Sequence, residues 1–235
     1  NGSFVTSPVP NQIFQGVHPT PDPLAYLPPP SMPPDGTMTK TAIGNGNFQY
    51  TLSPGTYTNL PTFNKGDVVI LQQASANSNG GIYYINGGGF KSTGATVTMD
   101  PLTSGGVLIY NQPASSANSE KIQITGNASG IVDLAPLQNG PYSGIMLWQD
   151  RNSAVPMQID GNGTFTLRGT LYAAGALMNV TGNGGQYAAA DGSIQSGSAV
   201  GSQYITKDLG ISGNGNVLLR YPGMAAPTRI LTLVE

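Results

Sequence analysis

The stretch Met157-Gln158-Ile159-Asp160-Gly161-Asn162-Gly163 carries the pattern that decides the fold of this chain. Two apolar residues flank a polar one, and a second polar residue, Gly-Asn and a small residue follow. The pattern recurs at residues 122–128, 178–184 and 209–215, with a degenerate copy at 43–46. The asparagines of the four full copies are 35, 21 and 31 residues apart. Self-similarity on this scale is typical of a solenoid, in which similar units stack on one another.

Each copy predicts a short strand that ends at a corner. Alternation places the two apolar side chains on one face, and Gly-Asn supports a turn because both residues tolerate left-handed backbone. A single coil cannot bury its apolar face alone, so the coils must stack. We therefore predict an all-β, right-handed parallel β-helix over residues 37–235. The irregular spacing leaves a β-sandwich open as the alternative.

The corner asparagines of the four copies should occupy equivalent turns. We predict that they form a structural ladder, in which at least two side-chain amides hydrogen-bond along the stack. These residues are Asn127, Asn162, Asn183 and Asn214. The apolar residues two positions before each corner glycine should point into one core, and they are Ile124, Ile159, Val180 and Ile211.

Residues 1–36 differ in composition from the repeats and hold ten of the 19 prolines. Each proline lacks a backbone donor and restricts the residue before it to extended conformations. We therefore expect an extended arm here. Because Leu24-Ala25-Tyr26-Leu27 is too apolar for a simple spacer, the arm should dock along the body. A disordered linker is the alternative.

Two apolar segments are candidates for self-assembly. The ends of a solenoid carry unpaired backbone groups that another chain can pair with. Head-to-tail docking of such ends builds a filament, whereas folding back of the same segments caps a monomer. We predict a homo-oligomer or filament. The candidate assembly residues are Phe14, Leu24, Tyr26 and Leu27 in the arm, and Ile230, Leu231 and Leu233 near residue 235.

The composition argues against several classes of function. Only 9% of residues are charged and the net charge is −2, so there is no basic stripe of the kind that binds nucleic acid. No apolar run reaches the length of a membrane span. Cysteine is absent, which excludes disulfides and thiolate metal sites. Because Asn1 opens a polar segment instead of a signal peptide, we expect an exported protein of this sequence to be a mature or trimmed fragment.

The residues of the chain do not form a recognisable catalytic set. His18 is the one histidine and lies in the arm, which is unsuited to orient a triad or a metal site. The acids of the body are scattered, and the conspicuous pair Asp150-Arg151 favours an ion pair or a turn cap. Neutral Gly-Asn-Gly corners lack the carboxylates that calcium requires. We therefore expect no enzyme activity, no cofactor and no metal. The other candidate acids are Asp133, Asp160, Asp191 and Asp208.

A binding function is the alternative that these residues leave open. Exposed aromatic side chains bind carbohydrate, and a surface polysaccharide would be the partner of such an adhesive module. The candidate aromatic residues are Tyr57, Tyr83, Tyr142 and Tyr204.

An ordered set of motifs resembles the exported region of bacterial Tad-type pilus-assembly-like proteins. The set comprises residues 16–28, 52–57, 81–84, 87–90, 105–111 and 144–152, with the Gly-Asn-Gly copies between and after them. The chain departs from the resemblance at residues 63–66 and 92–95, where we expect looser coils. The resemblance implies an exported, extracellular β-helical domain at a bacterial cell surface, with a structural role and no catalytic residues.

Overall fold

A computed structural model describes residues 21–73, 81–188, 193–219 and 225–227. Over these residues the fold is all-β, with a 3-10 turn at Asn118–Glu120 and no α-helix. The strands are β1 Met38–Gly44, β2 Asn47–Leu52, β3 Gly55–Tyr57, β4 Phe63–Asn64, β5 Val68–Leu71, β6 Ile82–Asn86, β7 Phe90–Thr93, β8 Thr96–Met99, β9 Leu108–Gln112, β10 Ile122–Thr125, β11 Ile131–Leu134, β12 Ile145–Gln149, β13 Met157–Gly161, β14 Thr164–Leu167, β15 Thr170–Gly182, β16 Gln186–Ala188, β17 Ile194–Ser196, β18 Ser198–Val200, β19 Gln203–Gly213 and β20 Val217–Leu218.

The strands form two sheets that are mainly parallel. One sheet runs in the order β1-β2-β5-β8-β11-β14-β16-β17, with β18 and β20 beside it. The other runs β3-β6-β9-β12-β15-β13-β10-β7-β4, with β19 paired to β15. Within the described ranges, β1–β2 and β16–β17 are the antiparallel pairs. The prediction of an all-β fold built on parallel strands is confirmed, and the pairing is not that of an antiparallel sandwich.

The long strand β15 joins two series of parallel strands in the second sheet. Its first residues pair with β12, which continues through β9 and β6 to β3 as the first series. Its last residues pair with β13, which continues through β10 and β7 to β4 as the second series. Strands β5, β8, β11 and β14 form the third series in the other sheet. The chain visits the three series in the same order on each circuit.

The repeated sequence pattern is also the structural repeat. Its four copies lie in β10, β13, β15 and β19, with Ile124 opposite Ile159, Ile159 opposite Val180, and Val180 opposite Ile211. The first three side chains are fully buried in one core, as predicted. Ile211 is 46% exposed, so the prediction for this residue is wrong. It lies on β19, the last described strand of the second series, and no other described strand pairs with the outer side of β19.

Residues 22–27 of the arm dock on the outer side of the first series. Leu24 and Leu27 are buried there against an aromatic cluster. The arm is not extended at this point, because consecutive turns form with Ala25 N donating to Asp22 O at 3.1 Å and Leu27 N to Leu24 O at 2.9 Å. The Asp22 carboxylate starts these turns by accepting the Leu24 backbone N–H at 2.9 Å. For residues 22–27, docking was therefore predicted correctly and the extended conformation was not, while residues 1–20 lie outside the described residues.

Candidate functional site

An aromatic column follows the outer side of the first series. Tyr84, Tyr110, Trp148 and Tyr172 occupy paired positions on β6, β9, β12 and β15. Their successive ring centroids are 4.8, 5.9 and 5.0 Å apart. In-register parallel pairing places like side chains on top of one another, and tilted or edge-on aromatic pairs at these separations are attractive. The column belongs to a hydrophobic cluster separate from the main core, and Leu24 and Leu27 of the arm pack in that cluster.

Two tyrosines of the column end on carboxylates. The hydroxyl of Tyr110 donates to Asp150 Oδ2 and that of Tyr172 donates to Asp22 Oδ2, both at 2.5 Å. Burial, reinforced by these hydrogen bonds, raises the pKa of both phenols above the ordinary value. Both hydroxyls therefore remain protonated donors at neutral pH. The Asp22–Tyr172 contact fastens the arm to the body.

Arg151 clamps the arm from the turn that follows β12. Its Nη1 atom donates to Ala25 O at 3.1 Å, and Nη2 donates to Leu24 O at 3.1 Å and Leu27 O at 2.9 Å. Its Nε atom lies 4.0 Å from Asp22 Oδ2. The planar fork of guanidinium donors suits several carbonyl acceptors at once. The two residues of the conspicuous Asp150-Arg151 pair thus have different roles. Arg151 binds the arm, and Asp150 caps the turn because its Oδ1 atom accepts a hydrogen bond from Asn152 N at 2.8 Å.

A polar groove lies beside this clamp, between the loops that follow β9 and β12. It has a volume of about 460 Å³ and is lined by Gln112, Ser115, Asp150, Asn152 and Ser153 among others. Amides, hydroxyls and a carboxylate offer both donors and acceptors. The groove therefore has the chemistry to bind a polyhydroxyl ligand.

Glu120 holds one wall of the groove in place. Its carboxylate accepts hydrogen bonds from the Ser115 hydroxyl at 2.5 Å, the Ser115 N–H at 3.1 Å and the Ala114 N–H at 2.5 Å. The hydrogen bond from the Ser115 hydroxyl is the main reason that the pKa of Glu120 is lowered. The ionised carboxylate therefore fixes the loop at neutral pH.

The corner asparagines occupy equivalent turns, because the preceding glycines of β13, β15 and β19 are paired in register. The hydrogen-bonded ladder is nevertheless not formed. All four residues are described, and no hydrogen bond joins the side chains of any two of them. Asn127 Nδ2 donates to Ser129 Oγ at 3.4 Å, and Asn162 Oδ1 accepts from Gly163 N at 2.9 Å. Asn183 and Asn214 are exposed to solvent, so hydration and local turns satisfy these amides.

A buried amide pair that the sequence did not predict lies at the end of the first series. Asn111 on β9 and Gln149 on β12 are fully buried. Asn111 Nδ2 donates to Gln149 Oε1 at 2.9 Å and to Glu120 O at 2.7 Å. Gln149 Nε2 donates to Ser153 Oγ at 3.1 Å. This network ties the loops on both sides of the groove to the core.

The candidate assembly residues divide into three groups. Phe14, Ile230, Leu231 and Leu233 lie outside the described residues, as do His18 and Asp191. Leu24 and Leu27 are buried against their own chain, so these two side chains are not free to dock on a neighbour. Tyr26 is 44% exposed, and its hydroxyl donates to Pro227 O at 2.7 Å.

The tyrosines suggested as a carbohydrate platform do not form one. Tyr57 and Tyr83 are buried and stack with ring centroids 6.2 Å apart. Tyr142 is half-buried against Trp148, at 5.7 Å between centroids. Tyr204 is half-buried, and its hydroxyl donates to Val200 O at 2.5 Å. The expectation that these rings are exposed is wrong because each ring packs against other residues of the chain.

The described acids of the body contact partners within the chain or face solvent. Asp133 forms an ion pair with Arg168, and Asp160 Oδ2 accepts from Thr125 Oγ1 at 2.9 Å and Gln158 Nε2 at 2.8 Å. Asp208 is exposed on β19. Within residues 21–73, 81–188, 193–219 and 225–227, no group of three or more acidic, histidine or cysteine side chains is arranged to hold a metal ion.

No family model, curated protein or solved structure matches the chain. The resemblance to Tad-type proteins therefore rests on the ordered motifs alone. In the same described ranges, no helix is long and apolar enough to cross a membrane.

Proposed function

We propose that the three series of strands are the faces of a right-handed parallel β-helix over residues 37–235. The support is the fixed order in which the chain visits the series, together with the in-register parallel pairing of each strand with its counterpart one circuit later. Crossovers between parallel strands of one sheet are right-handed in about 98% of cases. Each circuit is then one coil.

On this scaffold the chain acts as a non-enzymatic structural domain of an exported protein at a bacterial cell surface. The observation that carries this proposal is that the acidic side chains form hydrogen bonds and an ion pair within the chain. Asp150 caps a turn and accepts from Tyr110, Asp133 pairs with Arg168, and Asp160 links neighbouring strands. Carboxylates held in this way brace the coils, whereas glycoside hydrolysis needs two carboxyl groups that face each other across the scissile bond. The resemblance to Tad-type proteins supports the surface location.

A cleavage assay tests the non-enzymatic role. The purified chain is incubated with neutral and acidic polysaccharides, and new reducing ends and unsaturated products are measured, with Asp150→Asn as the matched variant. We expect no product from either protein. Product that disappears in the Asp150→Asn variant would overturn the proposal. Antibody labelling of intact and lysed source cells tests location, and labelling of lysed cells alone would contradict a surface role.

Carbohydrate binding without cleavage is the second candidate, and the polar groove favours it. The groove offers a carboxylate, two amides and three serines beside a fixed wall. A glycan array tests this function. Ala154→Trp fills the groove and should abolish any signal, whereas Leu102→Trp, at a position that is 92% exposed elsewhere, should leave it unchanged. Absence of binding to every glycan, or equal loss in both variants, would contradict a groove site.

A further inference from the structure

Apolar side chains at core positions become exposed to solvent on β19. Leu209 and Ile211 pair in register with Met178 and Val180 of β15, which are fully buried. Leu209 and Ile211 themselves are 45% and 46% exposed. Leu219, which follows β20 in the same last circuit, is 50% exposed. Residues at core positions are therefore exposed on a strand that no further described strand covers, and covering them would be favourable.

The backbone edge of β19 is open as well. The strand has 11 residues and pairs with β15 along one side. In the described part of the chain, no strand pairs with its other side. A long open edge is a template for another strand, and proteins normally cover such edges or interrupt them.

The opposite end of the stack has a different pairing. There β1 runs antiparallel to β2, with all seven of its residues exposed. Lys40 of β1 lies with Nζ 3.7 Å from the centre of the Phe48 ring, which holds the strand over the first circuit. An antiparallel strand does not continue the parallel register of the coils. Because the pairing at the two described ends differs, docking of β19 on β1 of the next copy would not continue the parallel register, and head-to-tail growth is not favoured.

The middle of β19 is self-complementary in charge. Lys207 and Asp208 are adjacent and exposed, and neither side chain forms an ion pair within the described ranges. In an antiparallel pair of two β19 strands, Lys207 can lie opposite Asp208 of the second copy, and the two-fold axis repeats the contact. The same register places Leu209 opposite Thr206 and Ile211 opposite Tyr204 of the second copy. Opposite charges on facing positions stabilise such pairs.

We propose that the chain forms a two-fold dimer through this end, with β19 of each copy paired antiparallel and Leu209 and Ile211 buried between the last coils. The inference rests on the structural role and the coil arrangement proposed above, and it names a second copy as the partner. The two-fold contact uses β19 of both copies, so no third copy can add through this strand.

Charge reversal tests the proposal with the whole chain. Sedimentation analysis over a range of concentrations should give a monomer–dimer equilibrium. Lys207→Glu places two acids opposite each other, and Asp208→Lys places two lysines opposite each other, so each variant should weaken dimerisation by about tenfold or more. The double variant K207E/D208K restores opposite charges across the axis and should recover the wild-type dissociation constant. Lys65→Glu, an exposed lysine on another turn, is the control for net charge and should have no effect.

Three outcomes would overturn the dimer. One is a wild-type chain that is monomeric at every concentration. This includes the case in which only a variant without residues 228–235 dimerises, because β19 is then covered by its own chain. The second is an assembly larger than two copies. The third is a double variant as weak as the single ones. Circular dichroism of each variant checks that the fold is retained. The cleavage assay is run on the same variants, so that failure of the dimer can be distinguished from failure of the proposed non-enzymatic role.

Discussion

Asn111 Nδ2 donates a hydrogen bond to Gln149 Oε1 at 2.9 Å, and both side chains are fully buried. Removing the glutamine amide leaves Asn111 with one partner fewer in a site that water does not reach. We expect Gln149→Ala to lower the free energy of unfolding by about 1–3 kcal/mol, which is the usual cost of an orphaned buried group. Urea denaturation of the wild type and the variant measures this difference in the free energy of unfolding.

Asn183→Ala provides the matched control for the buried amide. Asn183 is exposed at its corner, and exposed substitutions usually change stability by less than about 0.5 kcal/mol. Equal effects of the two substitutions would contradict the assignment of the structural role to Asn111 and Gln149.

The arm should detach when its clamp is removed. Arg151→Ala deletes three hydrogen bonds from one guanidinium to backbone carbonyls of the arm, and we expect a loss of about 2 kcal/mol because charged donors contribute more than neutral ones. Limited proteolysis should then cut faster between residues 28 and 35. Arg151→Lys should not rescue the arm, since an ammonium lacks the planar fork.

Arg168→Ala is the control for the clamp. The two arginine side chains are equally exposed, at 27%, but Arg168 contacts a half-exposed carboxylate. An ion pair of that kind contributes less than about 1 kcal/mol. A smaller loss for Arg151→Ala than for Arg168→Ala would refute the clamp.

Substitution of two glycines with positive φ distinguishes the stability cost of steric crowding from that of backbone strain. Gly106 has φ +77°, and an added Cβ would lie 1.8 Å from Pro136 O. Gly44 has φ +94° with nothing within 4 Å of that position. We expect Gly44→Ala to cost about 1–2 kcal/mol from the left-handed backbone alone. Gly106→Ala should cost more than about 4 kcal/mol or prevent folding, as thermal melting would show. Similar melting temperatures would contradict the close approach.

Alkaline pH should destabilise the fold. Burial, together with the nearby Tyr57, raises the pKa of Tyr83 well above its ordinary value. The folded chain therefore favours the neutral phenol. The stability from this group is fully present below the unfolded pKa of about 10 and is lost as the pH rises above it. Urea midpoints measured from neutral to alkaline pH should fall above about pH 10.

Tyr83→Phe isolates the group that causes the alkaline effect. The variant loses two hydrogen bonds to backbone carbonyls and should start less stable. Its stability should then fall less steeply with pH than that of the wild type. An identical slope would assign the alkaline effect to other tyrosines.

The sequence pattern predicted a corner ladder that is not formed, and it did not predict the buried amide pair. The Gly-Asn corners were conspicuous in sequence, yet their side chains satisfy local turns and solvent. Asn111 and Gln149 carry no repeated motif, and they meet because β9 and β12 pair in a register that brings positions 38 residues apart together. Which polar residue faces inward at a corner depends on that pairing and on the bend of the chain, and neither is encoded in a local alternation.

The sequence by itself determined the strand, the corner and the pairing of like residues, because alternation and glycine placement are local and each repeat must bury the same face. It therefore placed Ile124, Ile159 and Val180 in one core. Only the tertiary structure decided where that core ends. Ile211 has the same local pattern and half of it faces water, because burial depends on a neighbouring strand and not on the residue itself. The docking of the arm on the aromatic column was decided in the same way, by contacts between residues more than 120 positions apart.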